Sequence, residues 1–206
     1  MKVLLINGSP HDKGCTYTAL NEIAGVLNQE GIETDIYYIG LDPIAPCRAC
    51  GACKNIGKCV IDDKVNSFVE YAKDFDGYVI GSPVHYAAMS GGAVPFLHRA
   101  FFSGKSVFRH KPGAAIVSAR RAGTTTTLDQ LNKYFMINEM PVISGRYWNM
   151  VHGSNPDEVK KDEEGMQNMR VLAKNFAWHL KCLEAGLNAG IIPPEAETPI
   201  RTNFIR

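Results

Sequence analysis

Residues 3–18, VLLINGSPHDKGCTYT, leave this chain few folds to choose from. The apolar run Val3, Leu4, Leu5, Ile6 stops at Asn7-Gly8-Ser9-Pro10, and from Thr16 onward Leu20, Ile23, Ala24 and Leu27 recur at helical spacing. The order is strand, loop, helix. The loop is poor in bulky apolar groups and rich in glycines and hydroxyls: Gly8, Ser9, Gly14, Thr16, Tyr17 and Thr18. It feeds a helix whose first amides have no backbone partner, so donors converge beside the positive end of the helix dipole. Such a place accepts a phosphate.

Spacing excludes two commoner phosphate loops. A Walker A loop has four residues between its glycines and then Lys-Ser/Thr, whereas five separate Gly8 from Gly14 and Cys15-Thr16 follows. The three glycines of a dinucleotide loop are also missing, which points to a mononucleotide. With no arginine in the loop, the phosphate would rest on hydrogen bonds of roughly 1.5–3 kcal/mol each. Four or five of them supply a large part of the about 8–12 kcal/mol that micromolar to nanomolar binding requires. The competing reading is an ordinary Gly-Ser-Pro turn that caps a helix.

At 206 residues the chain suits one well-cored α/β domain. A net charge of +1 gives no electrostatic case for nucleic acid, and no apolar stretch approaches a membrane span. The N-terminus enters a strand directly, without a signal-peptide pattern, so a cytoplasmic protein acting on small molecules or protein partners is expected. Four of its six cysteines crowd between Cys47 and Cys59, which favours metal or redox chemistry over a disulfide scaffold.

Further along, a second strand is expected over Glu33–Tyr38, an irregular insertion over 40–62, and a helix from Asp63 to Lys73. A third strand follows at Gly77–Gly81, a helix at Val94–Phe102, a fourth strand at Ala114–Ser118 and a helix around Leu128–Ile137. A fifth strand is expected to begin at Pro141–Ile143, with one long helix at Pro156–Cys182 and a proline-containing tail from Gly186. Five such units make a doubly wound parallel sheet, because parallel strands need right-handed crossovers. The polar loops Gly8–Thr18, Pro83–Gly92 and Ser118–Thr127 follow strands one, three and four, and would meet at the carboxyl-end crevice where such sheets bind ligands.

Three motifs in this order, NGSP-x3-G-x-T (Asn7 to Thr16), GSPVHY (Gly81–Tyr86) and SARRAG (Ser118–Gly123), resemble those of the NAD(P)H-dependent FMN reductases. The likeness is narrower still to their iron-sulfur flavoprotein branch. It implies a flavodoxin-like sheet of order 2-1-3-4-5 in three layers. One FMN-binding domain would span 1–188, with the cysteine-rich insertion at 40–62 and an extended tail at 189–206. It further implies that Ser9, His11, Cys15, Thr16, Tyr17 and Thr18 hold the FMN phosphate, and that Pro83, Val84, His85 and Tyr86 lie along the ring. Ser118, Ala119, Arg120, Arg121 and Gly123 would meet its pyrimidine side, largely through backbone amides. Cys15 and His85 depart from the asparagine and the aromatic common at those places. No catalytic residue beyond the flavin is implied, since hydride arrives at and leaves from the ring itself.

Cys47-x2-Cys50-x2-Cys53-x5-Cys59 has the compact spacing that ligates iron-sulfur clusters, and zinc sites usually join two pairs across a longer gap. The resemblance implies a [4Fe-4S] cluster here, although relatives without a cluster keep cysteines in this loop. Cys15, at a helix N-terminus, reads either as a reactive thiolate or as a small packing residue under a phosphate. Cys182 is expected in the core or an interface. The expected activity is transfer of electrons from NAD(P)H or a protein donor such as ferredoxin to a quinone, flavin or similar acceptor, in a homodimer or homotetramer. An electron carrier or redox sensor, and a mononucleotide-binding protein without redox chemistry, are the alternatives.

Overall fold

The protein is described here by a computed structural model covering residues 1–200, 202 and 204. β1 (Lys2–Asn7) leads into α1 (Cys15–Gln29) and β2 (Glu33–Tyr38). A long segment with the single turn α2 (Cys53–Ile56) precedes α3 (Lys64–Ala72) and β3 (Gly77–His85). β3 doubles back into β4 (Ala88–Met89), and α4 (Ala93–Ser103) with the short α5 (Lys105–Phe108) returns the chain to β5 (Gly113–Ala119). α6 (Thr124–Ile137), β6 (Met150–His152), α7 (Pro156–Lys161) and α8 (Glu163–Asn188) follow.

The strands run parallel in the order β2-β1-β3-β5-β6, with β4 attached antiparallel to the end of β3. This is the expected order with one added hairpin. β1 is apolar throughout because it is covered on both faces. Leu4 and Ile6 point into a core with Phe68, Phe96, Phe101 and Phe135, while Val3 and Leu5 point the other way, toward Ile23, Leu27, Leu172 and Phe176. Helices on both faces make the three layers.

Two expectations require correction. The fifth strand is not Pro141–Ile143, which makes one isolated bridge, Gly113 to Val142. Pro141 has no N–H to donate, and the chain then turns through 144–149, where two buried asparagines take over the backbone hydrogen bonding. Asn168 accepts from the amides of Arg146 and Tyr147 and donates to the carbonyls of Tyr147 and Trp148. Asn149 accepts from the Gly145 amide and donates to Ala115 O. The strand that completes the sheet is β6, which pairs with Val117–Ala119.

The second correction concerns the last helix, which is two. Asn155 caps α7, with Pro156 in its first turn, and Asp162 ends α7 and caps α8 by accepting from the Gly165 amide. Periodicity runs through this joint, and only the local cap interrupts it. Beyond the turn that follows α8, residues 191–200 form neither helix nor strand, while 201, 203, 205 and 206 of the expected tail lie outside the described residues. Among the described residues, no helix is long and apolar enough to cross a membrane.

Candidate functional site

The parallel register places Asn7 beside Gly81, and Pro83 beside Ser118, so the three polar loops leave the sheet at one edge. They are bonded to each other there. The Gly8 amide donates to Gly81 O at 2.8 Å, and the Ser90 hydroxyl donates to Gly8 O. Thr16 Oγ1 and Ser118 Oγ are 2.9 Å apart, both nearly fully buried, and join the first loop to the third. Gly123 packs on the second loop: a Cβ there would lie 2.8 Å from Val84 and 3.0 Å from the Ala87 backbone, and its φ of +91° is a left-handed value that favours glycine.

Within the first loop, Asn7 is the organiser. Buried at the end of β1, it accepts from the Ser9 amide at 3.1 Å and donates to Asp12 O at 2.8 Å. Ser9 Oγ in turn accepts from the His11 amide, a bond that does not use its own O–H. α1 starts at Gly14 with no side-chain cap and no acidic residue in its first turn. α3, α7 and α8 are each capped by an Asp or Asn, whereas α4 and α6, like α1, have no side-chain cap. The donors at the start of the 15-residue helix α1 therefore face outward from an uncapped, positive helix end. Burial pushes the Cys15 thiol up, and it donates to Gly153 O. The packing reading of Cys15 fits this, and the stabilised-thiolate reading does not.

A cleft of about 590 Å³ opens beside this loop, walled by Pro10–Cys15 and Tyr38 on one side and by Ser154, Asn155 and Pro156 on the other. The wall at 154–156 had no sequence signal, because the loop after β6 arrives there only through sheet pairing. Tyr86 stands fully exposed on the β3–β4 turn, beside exposed His85, and Arg120 and Arg121 are exposed on the third loop. Tyr17 and Thr18 are half-buried, Thr18 with its hydroxyl on Gly14 O.

A second locus lies in the insertion. Cys47, Cys50, Cys53 and Cys59 line one pocket together with Arg99 of α4. Cys47 and Cys50 are exposed, Cys53 begins α2, and Cys59 is held through its backbone by Asn66, which accepts from its amide at 3.1 Å and donates to its carbonyl at 3.0 Å. Among the described residues no three His, Cys, Asp or Glu groups stand close enough to ligate one metal ion. A cubane asks something different, since each thiolate binds a separate iron at its own corner. Four thiols around one pocket next to a cation fit that donor set. Arg99 is visible in the sequence as a lone Arg/Lys charge among the apolar residues of VPFLHRAFF. Cys182, expected in the core or an interface, is exposed.

Residues 1–155 match the family of NADPH-dependent FMN reductases. An iron-sulfur flavoprotein of Methanocaldococcus jannaschii is 31% identical over 89% of this chain and the whole of its own length. A flavodoxin from the domain Archaea superposes with a TM-score of 0.60 at 14% identity, covering 88% of this chain and 99% of the other. The crystal structure of RosB with a bound 8-demethyl-8-formylriboflavin-5'-phosphate intermediate gives 0.67 at 15% identity, covering 99% and 92%. Loop order, strand order and sequence agree: the chain belongs to the NADPH-dependent FMN reductase family, in its iron-sulfur flavoprotein branch, and is a flavoprotein oxidoreductase of flavodoxin-like fold.

Proposed function

We propose that this oxidoreductase holds FMN across the three bonded loops and passes electrons from NAD(P)H to a small acceptor such as a quinone or free flavin. The observation that carries the site is the uncapped N-terminus of α1 at the point where the loops meet. The amides of Cys15, Thr16 and Tyr17 with the Ser9 hydroxyl and His11 would take the phosphate, and Thr18 closes the same turn. Pro83, Val84, His85 and Tyr86 would lie along the ring, with exposed Tyr86 free to cover it. The Thr16–Ser118 bond uses one of the two hydroxyl hydrogens, so the accepting partner keeps its own O–H to donate, and both residues would also offer backbone amides. Ala119–Gly123 would offer amides, and Arg120 or Arg121 positive charge, to the ring's pyrimidine side.

Bound FMN supplies a ring that accepts hydride and releases electrons one or two at a time. The chain's own part is to bind, orient and stabilise negative charge. Cys47, Cys50, Cys53 and Cys59 would hold a [4Fe-4S] cluster, supported by their shared pocket and by the names of the relatives. A carrier or sensor fed by ferredoxin is the second reading, favoured by the exposure of Cys47 and Cys50. Exposed Tyr147, Trp148 and Trp178 support a homodimer or homotetramer, and a cytoplasmic location completes the reading.

A visible spectrum of protein prepared without oxygen and offered FMN tests it. Two flavin bands bleached by NADPH are expected, with a broad added shoulder where the cluster is loaded. No bound flavin would overturn the FMN site, and no iron or sulfide after reconstitution would remove the cluster.

A further inference from the structure

Arg99 lies in the middle of α4 among buried Phe96, Leu97, Ala100 and Phe101, and its side chain is itself 0% exposed. A guanidinium enclosed in this way needs acceptors for its donors, and here they all come from residues 45–63. Nη1 and Nη2 grip the two carboxylate oxygens of Asp63 at 2.5 and 2.8 Å. Nη2 also donates to Ile61 O at 3.0 Å, and Nη1 to Ala45 O at 3.3 Å. The remaining donor, Nε, is aimed at Cys59 Sγ from 3.3 Å. Asp63 and the carbonyls account for the two η nitrogens, whereas the Nε contact puts a permanent cation against one sulfur of the four.

We propose that Arg99 is a positioning residue that seats the Cys59 sulfur as the fourth cluster ligand and raises the cluster's reduction potential. The inference rests on reading the four cysteines as a [4Fe-4S] site. Reduction adds one electron from the external reductant and breaks no bond. An oxidised cluster with four thiolates carries two net negative charges, and the electron makes three. A charged N–H donor fixed on one sulfur stabilises the more negative state more, and hydrogen bonds to sulfur are a known lever on cluster potentials. Asp63 acts in the opposite sense by cancelling part of the guanidinium's field. Cys59 is also clamped through its backbone by Asn66, so its place does not depend on Arg99 alone.

The test is anaerobic reconstitution of the full chain with iron and sulfide, metal analysis, and a redox titration followed by electron paramagnetic resonance. It compares wild type with Arg99→Gln and Asp63→Asn, the latter keeping a residue that still caps α3. In Arg99→Gln the equilibrium constant for one-electron reduction falls about tenfold, a midpoint about 59 mV more negative, while Asp63→Asn shifts the midpoint positive. Opposite signs are the signature, since a merely structural pair would move both the same way. Full iron with unmoved midpoints, or shifts of one sign, overturns the role of Arg99 and leaves the cluster standing. A wild type that takes up no iron overturns both. If Arg99→Gln loads no cluster, the sign for Asp63→Asn decides: positive supports the proposal, zero or negative overturns it.

Discussion

Single side chains in this protein are constrained by partners far away in sequence. Gly113 opens β5 directly beneath the Phe135 ring, and a Cβ there would lie 2.4 Å from a ring carbon. Phe135 is fully buried and has nowhere to retreat. Gly113→Ala should destabilise by about 1–3 kcal/mol, read as a lower urea midpoint with an unchanged slope. Among the cysteines, burial pushes Cys15 up and its thiol donates to Gly153 O, while Cys182 is exposed. Iodoacetamide at neutral pH should therefore modify Cys182 well before Cys15, by peptide mass mapping over time; faster labelling of Cys15 would restore the reactive-thiolate reading. The candidacy of Cys15 was legible from its place before a helix. Its contact with the Gly153 carbonyl was not, because that backbone lies 138 residues away.

At the level of elements, the β3–β4 hairpin shows local chemistry giving way to placement. Its two turn residues, Tyr86 and Ala87, have φ of +51° and +56°. Such values suit a two-residue hairpin turn but normally call for Asn-Gly. The left-handed conformation costs a non-glycine residue about 1–2 kcal/mol. It is held by Thr126, whose hydroxyl donates to Ala87 O at 2.9 Å, and by the Met89 amide, which donates to Gln130 of α6 at 2.9 Å. Ala87→Gly should stabilise the fold by about 0.5 kcal/mol, the relief of strain less the extra freedom of the unfolded chain, measured by thermal melting. No turn signal marks Tyr86-Ala87 in the sequence. The motif around it was visible, and the hairpin that lifts Tyr86 into the open was not.

Across the whole molecule, the insertion is tied to the core by Arg99, which bonds Ala45 O, Cys59 Sγ and Ile61 O, and by Asn66, which clamps Cys59; Arg99 also pairs with Asp63 at the start of α3, 36 residues away. The Arg99 guanidinium holds the Asp63 carboxyl below its ordinary value. Stability from a lowered carboxyl is complete above the ordinary carboxylate pKa and is lost as pH falls through the folded one. The stability advantage of wild type over Asp63→Asn should therefore hold above about pH 4 and narrow as pH drops below it, followed by denaturant titration at each pH; a constant gap would mean that the pair contributes nothing. The sequence by itself determined the order of strands, helices and polar loops, because apolar period, glycines and prolines act within a few residues of where they stand. It also carried three motifs specific enough to indicate the family. Only the tertiary structure decided that Thr16 bonds Ser118, that β6 rather than Pro141–Ile143 completes the sheet, and that a core arginine faces the fourth cysteine. Each of these joins residues well separated along the chain, and local periodicity carries no information about such partners.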